Sequence, residues 1–235
     1  MSTHRPHEHA QHGQHEHAPQ LPPDSGDPLA NERYWDERYS SRDHLWSGEP
    51  NAALREETAD LAPGSALDLG CGEGADAIHL AGRGWRVTGV DISGIALARA
   101  AEHAAAAGVA DRVDWQRHDL AESFPAGRFD LVTTHFLHFM DGTLGPKVLR
   151  AAASAVAPGG TLLIEAHAGF PKWEHGHPTD VPFPTPEETV ASLALDPAEW
   201  EVLRAARHKR VQNHPATGEP TTRTDQTVKA RRRPG

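Results

Sequence analysis

A single cysteine, Cys71, in 235 residues excludes an intramolecular disulfide and leaves nothing to suggest an oxidising compartment. Missing too is any run approaching the ~20 apolar residues that a membrane-spanning helix requires, so the chain is not expected to be integral to a membrane. Aromatic residues are sparse, at 6%, which gives no strong sign of a pocket built to stack a flat substrate. Basic residues are outnumbered: 23 Lys and Arg stand against 33 Asp and Glu, a net charge of -10 with histidines neutral. A balance of that sign repels polyphosphate backbones, so nucleic acid is not expected as a partner. The N-terminal Met1-Ser-Thr-His-Arg-Pro-His-Glu-His-Ala10 lacks the charged and apolar regions of a secretory signal, and a cytoplasmic location is the expectation.

What is present divides the chain in two. Residues 1 to 30 hold His4, His7, His9, His12, His15 and His17 among polar residues, followed by the turn-rich Leu21-Pro-Pro-Asp-Ser-Gly-Asp-Pro28. With little apolar surface to offset its ordering entropy, this tail is expected to be disordered. Its His-Glu-His pairs could scavenge divalent metal loosely, but a polar tail is sufficient to account for them. Residues 31 to 235 suit one α/β domain of ordinary size. Within it, residues 31 to 60 space aromatic residues and leucines at helix-like intervals up to Pro63-Gly64, which predicts an arm of one or two helices.

Thereafter short apolar runs alternate with alanine-rich stretches, the pattern of a parallel sheet covered on both faces. Strands are predicted at Ser65 to Leu69, Arg86 to Val90, Val113 to Gln116, Phe129 to Thr133 and Thr161 to Glu165. Helices are predicted near Ala75 to Gly82, Gly94 to Ala107 and Gly145 to Val156, in a series of five βα units. Glu199 to Val211 and Gln226 to Arg232 are two more strand-like runs with no room for a crossover helix, so they should pair antiparallel. The fold class is therefore α/β: a Rossmann-like, mostly parallel sheet of seven strands with helices on both faces and an antiparallel C-terminal hairpin.

The most informative segment is Ala66-Leu-Asp-Leu-Gly-Cys-Gly-Glu-Gly74, an apolar strand running into alternating glycines and then a helix. Glycines at 70, 72 and 74 let the backbone approach a ligand and present amides near a helix N-terminus, which suits a nucleotide-like cofactor. The next strand ends in Asp91, at the distance where nucleotide-binding α/β folds place a carboxylate on ribose hydroxyls. Asp119 closes the third strand, where an acid can accept from an exocyclic amine.

The series ALDLGCGEG, VTGVDIS, RHDLAE, FDLVTTHFLHF and APGGTLLIEAH resembles the successive motifs of class I S-adenosylmethionine-dependent methyltransferases over about residues 60 to 170. The resemblance implies S-adenosyl-L-methionine as cofactor. Asp68, Gly70, Cys71, Gly72 and Gly74 would surround its methionine part, Asp91 the ribose, and Asp119 the adenine, with Ile92 and Leu120 flanking the ring. Tyr34 to Asn51, including Trp46, is similar to the arm that covers the cofactor in small-molecule methyltransferases of the tellurite-resistance and thiopurine type. A small-molecule acceptor is implied, the more so because Thr133-Thr-His-Phe136 stands where amino-methylating nucleic-acid enzymes carry an Asn/Asp-Pro-Pro-aromatic motif. The accepted atom and the oligomeric state have no signature in the pattern.

Methyl transfer by in-line displacement needs alignment first and a base only if the acceptor keeps its proton. His135 and His138 follow the fourth strand, where this fold puts its acceptor pocket, and are the candidate catalytic residues; each is also a plausible pocket wall. Glu165, His167, His175 and His177 include ligand types that zinc accepts, but no spacing matches a zinc signature and no metal is expected. Two other readings stay open. Gly70, Gly72 and Ala75 also satisfy the dinucleotide fingerprint of an NAD(P)-dependent oxidoreductase. A non-catalytic cofactor- or metal-binding protein would bind without turnover.

Overall fold

A computed structural model describes residues 29–137, 145–169, 183–214 and 217–235. The His-rich tail, His138, His175 and His177 lie outside the described residues. The arm forms α1 (Ala30–Ser40) and α2 (Ala52–Glu57), and the domain then runs β1 (Ser65–Leu69), α3 (Ala75–Gly82), β2 (Arg86–Asp91), α4 (Gly94–Ala106) and β3 (Val113–Arg117). It continues with β4 (Phe129–His135), α5 (Pro146–Ser154), β5 (Val156–His167), α6 (Pro186–Leu193), β6 (Trp200–Asn213) and β7 (Pro220–Arg232).

The seven strands form one sheet in the order β3-β2-β1-β4-β5-β7-β6. Strands β1 to β5 are parallel to one another, while β7 enters antiparallel between β5 and β6. The chain winds outward from β1 to β3 and then returns to the other side of β1. That reversal opens a crevice beyond the C-terminal ends of β1 and β4, where open α/β sheets hold ligands.

Local chemistry sets the element ends. Ser93 caps α4 by accepting from Ala96 N–H, and Gly108 follows the helix at φ +70°. In α6, Thr185 and Glu188 form a reciprocal capping box with Pro186 in the first turn. Four of the five expected βα units carry a helix; the β3–β4 connection does not, since Pro125 and Gly127 (φ +118°) interrupt it.

Two apolar clusters sandwich the sheet. Leu67, Leu69, Val132, Leu162 and Ile164 pack toward α5 and α6, while Ala66, Leu131 and Leu163 pack toward α2, α3 and α4. Side chains alternate along a strand, so residues in register with this second set share its face. Near the C-terminal ends of β1, β4 and β5, and beside them in the middle of β7, that face turns polar, carrying Asp68, Thr133, His135, Glu165 and Thr227, all buried. The buried polar stripe begins where the aliphatic core stops.

Candidate active site

The loop after β1 is pulled across β2: Gly70 and Cys71 N–H both donate to Val90 O, at 2.8 and 2.9 Å. Gly70 has φ +73°, and a Cβ there would lie 2.6 Å from Leu137 Cδ1. Gly74, φ +88° and immediately before α3, would bring a Cβ to 2.7 Å from the Trp115 ring. Any side chain at either position is both sterically blocked and forced into the left-handed region.

Asp91 ends β2 against this loop. Its Oδ2 accepts from Gly72 N–H at 2.9 Å and its Oδ1 from Ser93 N–H at 3.0 Å. Burial pushes its carboxyl above the ordinary range, while the backbone amides of Ser93, Gly72 and Ile92 favour the charged form. Each oxygen retains acceptor capacity beyond its amide partner. Asp119 Oδ1 accepts from Ala121 N–H at 3.0 Å, an Asx turn that fixes the acid at the end of β3.

Five of the residues picked out in the sequence, Gly70, Asp91, Ile92, Asp119 and Leu120, line one cleft of about 540 Å³. From α1 the cleft takes Asn31, Trp35 and Tyr39, and from the end of β4 it takes Phe136 and Leu137. His118 also lines it. Trp46 lies outside this cleft, half exposed, with its Nε1 donating to Tyr39 Oη at 3.1 Å. Cys71 places its sulfur under the loop beside Gly89. Burial and then the Asp91 charge push the Cys71 thiol up, so it stays protonated.

Asp68 and His135 face the interior. Asp68 Oδ1 accepts from Thr133 Oγ1 at 3.1 Å while Oδ2 is buried without a partner. Burial, followed by the nearby Asp76 charge, raises its carboxyl to about 8. His135 Nδ1 lies 3.2 Å from Asp76 Oδ2 but without hydrogen-bond alignment, and burial holds the ring below its ordinary range, hence neutral. Asp68, Asp76 and His135 bring three possible ligand atoms within 4.8 Å of one another, the one such group among the described residues. Asp76 is already engaged by Asn51, through its backbone N–H at 2.7 Å and its Nδ2 at 2.8 Å.

Glu165 and His167, weighed as metal ligands, instead bond to β6 and β7. Glu165 accepts from Thr227 Oγ1 at 2.6 Å and from His208 Nε2 at 2.7 Å. His167 Nδ1 donates to Asp225 Oδ1 at 2.8 Å, and Arg210 Nε donates to Asp225 Oδ2 at 2.6 Å. The ring of Phe136 stacks on His167 with centroids 4.4 Å apart. These partners are 43, 58 and 62 positions apart for Glu165–His208, His167–Asp225 and Glu165–Thr227. No local motif could have announced them.

A parallel sheet reversed at β1/β4, an antiparallel strand inserted between β5 and the edge, a glycine loop after β1 and an acid after β2 make up the Rossmann-like fold that class I S-adenosylmethionine-dependent methyltransferases share. Residues 66–160 match the family described as "Methyltransferase domain". A ubiquinone biosynthesis O-methyltransferase of Pseudomonas aeruginosa (strain UCBPP-PA14) is 37% identical over 121 residues, half of each protein. The chain thus spans about half the length of the curated relatives it matches first. A solved structure described as "Conversion of a Disulfide Bond into a Thioacetal Group during Echinomycin Biosynthesis" superposes with a TM-score of 0.68 and 25% identity, covering 86% of this chain and 92% of the other. An S-adenosylmethionine-dependent methyltransferase from Thiobacillus denitrificans, in complex with S-adenosylhomocysteine, shares the fold at a TM-score of 0.58 and 18% identity, covering 86% and 98%. No helix among the described residues is long and apolar enough to cross a membrane.

Proposed function

We propose that this protein transfers a methyl group from S-adenosylmethionine to a small-molecule acceptor in the cytoplasm. The observation that carries the reading is Asp91, a buried carboxylate tied to the Gly72 amide at the edge of a glycine-cradled cleft. The residues fit the cofactor. Gly70 leaves room where any Cβ would collide. Asp91 has lone pairs left for two ribose hydroxyls, and the apolar Ile92 and Leu120 line the same cleft and would flank a purine ring bound there.

When bound, S-adenosylmethionine supplies an electrophilic methyl group. The protein's own work is to align the acceptor with that methyl and to exclude water. Trp35 and Tyr39 from the arm close the cleft from above, which supports the arm-over-cofactor arrangement and the small-molecule branch. The net charge of -10 favours a small acceptor over nucleic acid, and the relatives include a ubiquinone biosynthesis O-methyltransferase as well as a ribosomal RNA small subunit methyltransferase.

Calorimetric titration with S-adenosylmethionine, S-adenosylhomocysteine and NADH tests the reading, with Asp91→Ala as control. Both adenosyl compounds are expected to bind the wild type and to lose affinity in the variant. Binding of NADH alone would replace the reading with an oxidoreductase; adenosyl binding with no methyl transfer to any acceptor would leave a non-catalytic binding protein.

A further inference from the structure

A second cleft, of about 920 Å³, lies at the C-terminal ends of β4 and β5 and against β6 and β7; of the described residues, Phe136 alone lines both it and the cofactor cleft. We propose that this second cleft is the acceptor site, and that His208, oriented by Glu165, takes the proton from a weakly acidic hydroxyl, a phenol or an alcohol, as that oxygen is methylated. The proposal rests on the methyl-transfer reading above.

The wall between the clefts is built under constraint. Phe136 has φ +53°, a left-handed conformation that is strained for a bulky non-glycine residue and persists only where its surroundings hold it. Three contacts hold it here. Its N–H donates to Glu165 O at 2.9 Å, its ring stacks on His167, and the Arg210 guanidinium sits 5.1 Å from the ring centre. Buried Asp225 in turn fixes both His167 and Arg210. Backbone strain of this kind clusters at active sites and ligand clamps.

On the far side of that wall, Glu165 is 1% exposed and His208 lines the cleft. Burial lifts the Glu165 carboxyl to about 6, with bonds from Thr227 and His208 opposing the rise, so it is ionised at neutral pH. An ionised carboxylate accepts only, so His208 Nε2 must carry the donated hydrogen and Nδ1 the lone pair. Nδ1 has no hydrogen-bond partner among the described residues. The other charged groups of the cleft are committed or unsuited. Glu57 is bonded to Arg204 and Lys229, Arg210 is bonded to Asp225, and Glu56 and Lys209 are exposed at the rim. His135, buried behind Asp76, lines neither cleft.

A carboxylate-backed imidazole is useful for an acceptor that still holds its proton near neutral pH, as phenols and alcohols do. The step balances within the site. The hydroxyl proton passes to His208 Nδ1, an oxygen lone pair forms the bond to the methyl carbon, and the electrons of the breaking carbon–sulfur bond remain on sulfur, which loses its positive charge. His208 is the catalytic residue; Glu165 is a positioning residue that fixes its tautomer.

The test uses the full chain, labelled S-adenosylmethionine and three phenols of rising acidity: phenol, catechol and 4-nitrophenol. His208→Gln retains a donor for Glu165 but no base, and Glu165→Gln removes the orienting charge. With phenol and catechol, kcat of His208→Gln is expected to fall by about 10²–10⁴-fold. It should fall far less with 4-nitrophenol at a pH where that phenol is ionised. Glu165→Gln should lower kcat on catechol with KM little changed and move the acidic limb of the pH profile. Unchanged S-adenosylhomocysteine affinity in both variants shows that they are folded. Equal loss along the acidity series, no loss at all, or cofactor binding by the wild type with no phenol methylated would each overturn the proposal. Failure of the wild type to bind S-adenosylhomocysteine would instead remove the methyl-transfer reading beneath it.

Discussion

The amide of Gly72 donates to Asp91 Oδ2 at 2.9 Å, tying the loop that leaves β1 to the acid that ends β2. One bond thereby positions the two elements of the cofactor cleft against each other, and the carboxylate held by it is the group that would accept the ribose hydroxyls. Asp91→Ala is expected to weaken S-adenosylhomocysteine binding by on the order of 100-fold, since hydrogen bonds to a charged acceptor contribute about 1.5–3 kcal/mol each. Isothermal titration of both proteins measures the difference; equal affinities would remove Asp91 from the site.

Gly70→Ala should be harmful twice over. The new Cβ would stand 2.6 Å from Leu137 Cδ1 at a φ of +73°, and the left-handed conformation alone costs about 1–2 kcal/mol. The expected result is a lower Tm together with loss of the Tm rise that S-adenosylhomocysteine gives the wild type by binding the native state. Gly48→Ala serves as the comparison, because it has a similar φ of +73° with nothing within 4 Å of the added carbon; it should lose some stability and keep the ligand-induced rise.

Asp68 carries a stability cost that depends on pH. Its folded-state carboxyl is raised to about 8, so between the unfolded value near 4 and about 8 the native state holds a proton that the unfolded chain has released. Stability therefore declines as pH rises through that window. Asp68→Asn keeps an oxygen for Thr133 and removes the charge, so its Tm should exceed that of the wild type at pH 8 and the gap should close toward pH 4. Parallel thermal melts across that range check the sign; a gap that grows toward low pH would refute it.

Asp225 has the opposite character. Burial alone would raise its carboxyl, but bonds from His167 and Arg210 outweigh burial and hold it below the ordinary range. The stability it contributes is present above the unfolded value near 4 and is lost as pH falls through its lower folded value. Asp225→Ala leaves the partly exposed Arg210 without its carboxylate and should cost about 1.5–3 kcal/mol at pH 7, read as a lower denaturant midpoint with the slope unchanged. The deficit should shrink in strong acid.

Much of the fold was legible because its signals are local. Ser65–Leu69 and Ala75–Gly82 have the predicted limits at both ends, since Pro63-Gly64 and Gly70 bracket the strand and the glycine loop and Gly84 bracket the helix. Other limits moved because pairing, not propensity, decides where a strand stops. β7 begins at Pro220 rather than Gln226, as β6 pairs with it through Thr221 to Asp225 despite their polarity. β5 starts at Val156 rather than Thr161 for the same reason, bonded beside Phe129. Helix α6 is absent from the predicted helices, although Thr185-Pro-Glu-Glu188 carries its capping box.

The sequence by itself determined the parallel α/β class, the closing antiparallel hairpin, the glycine loop and Asp91, because each is encoded within a few consecutive residues by periodicity, turn chemistry or spacing. Only the tertiary structure decided which histidine meets which acid. The strand order β4-β5-β7-β6 brings Glu165 to His208 and His167 to Asp225, while the alternation of side chains turns His135 inward beside Asp76. A hydrogen bond across a sheet depends on strand order and register, and those are set by how the whole apolar core packs rather than by any stretch of chain that could be read alone.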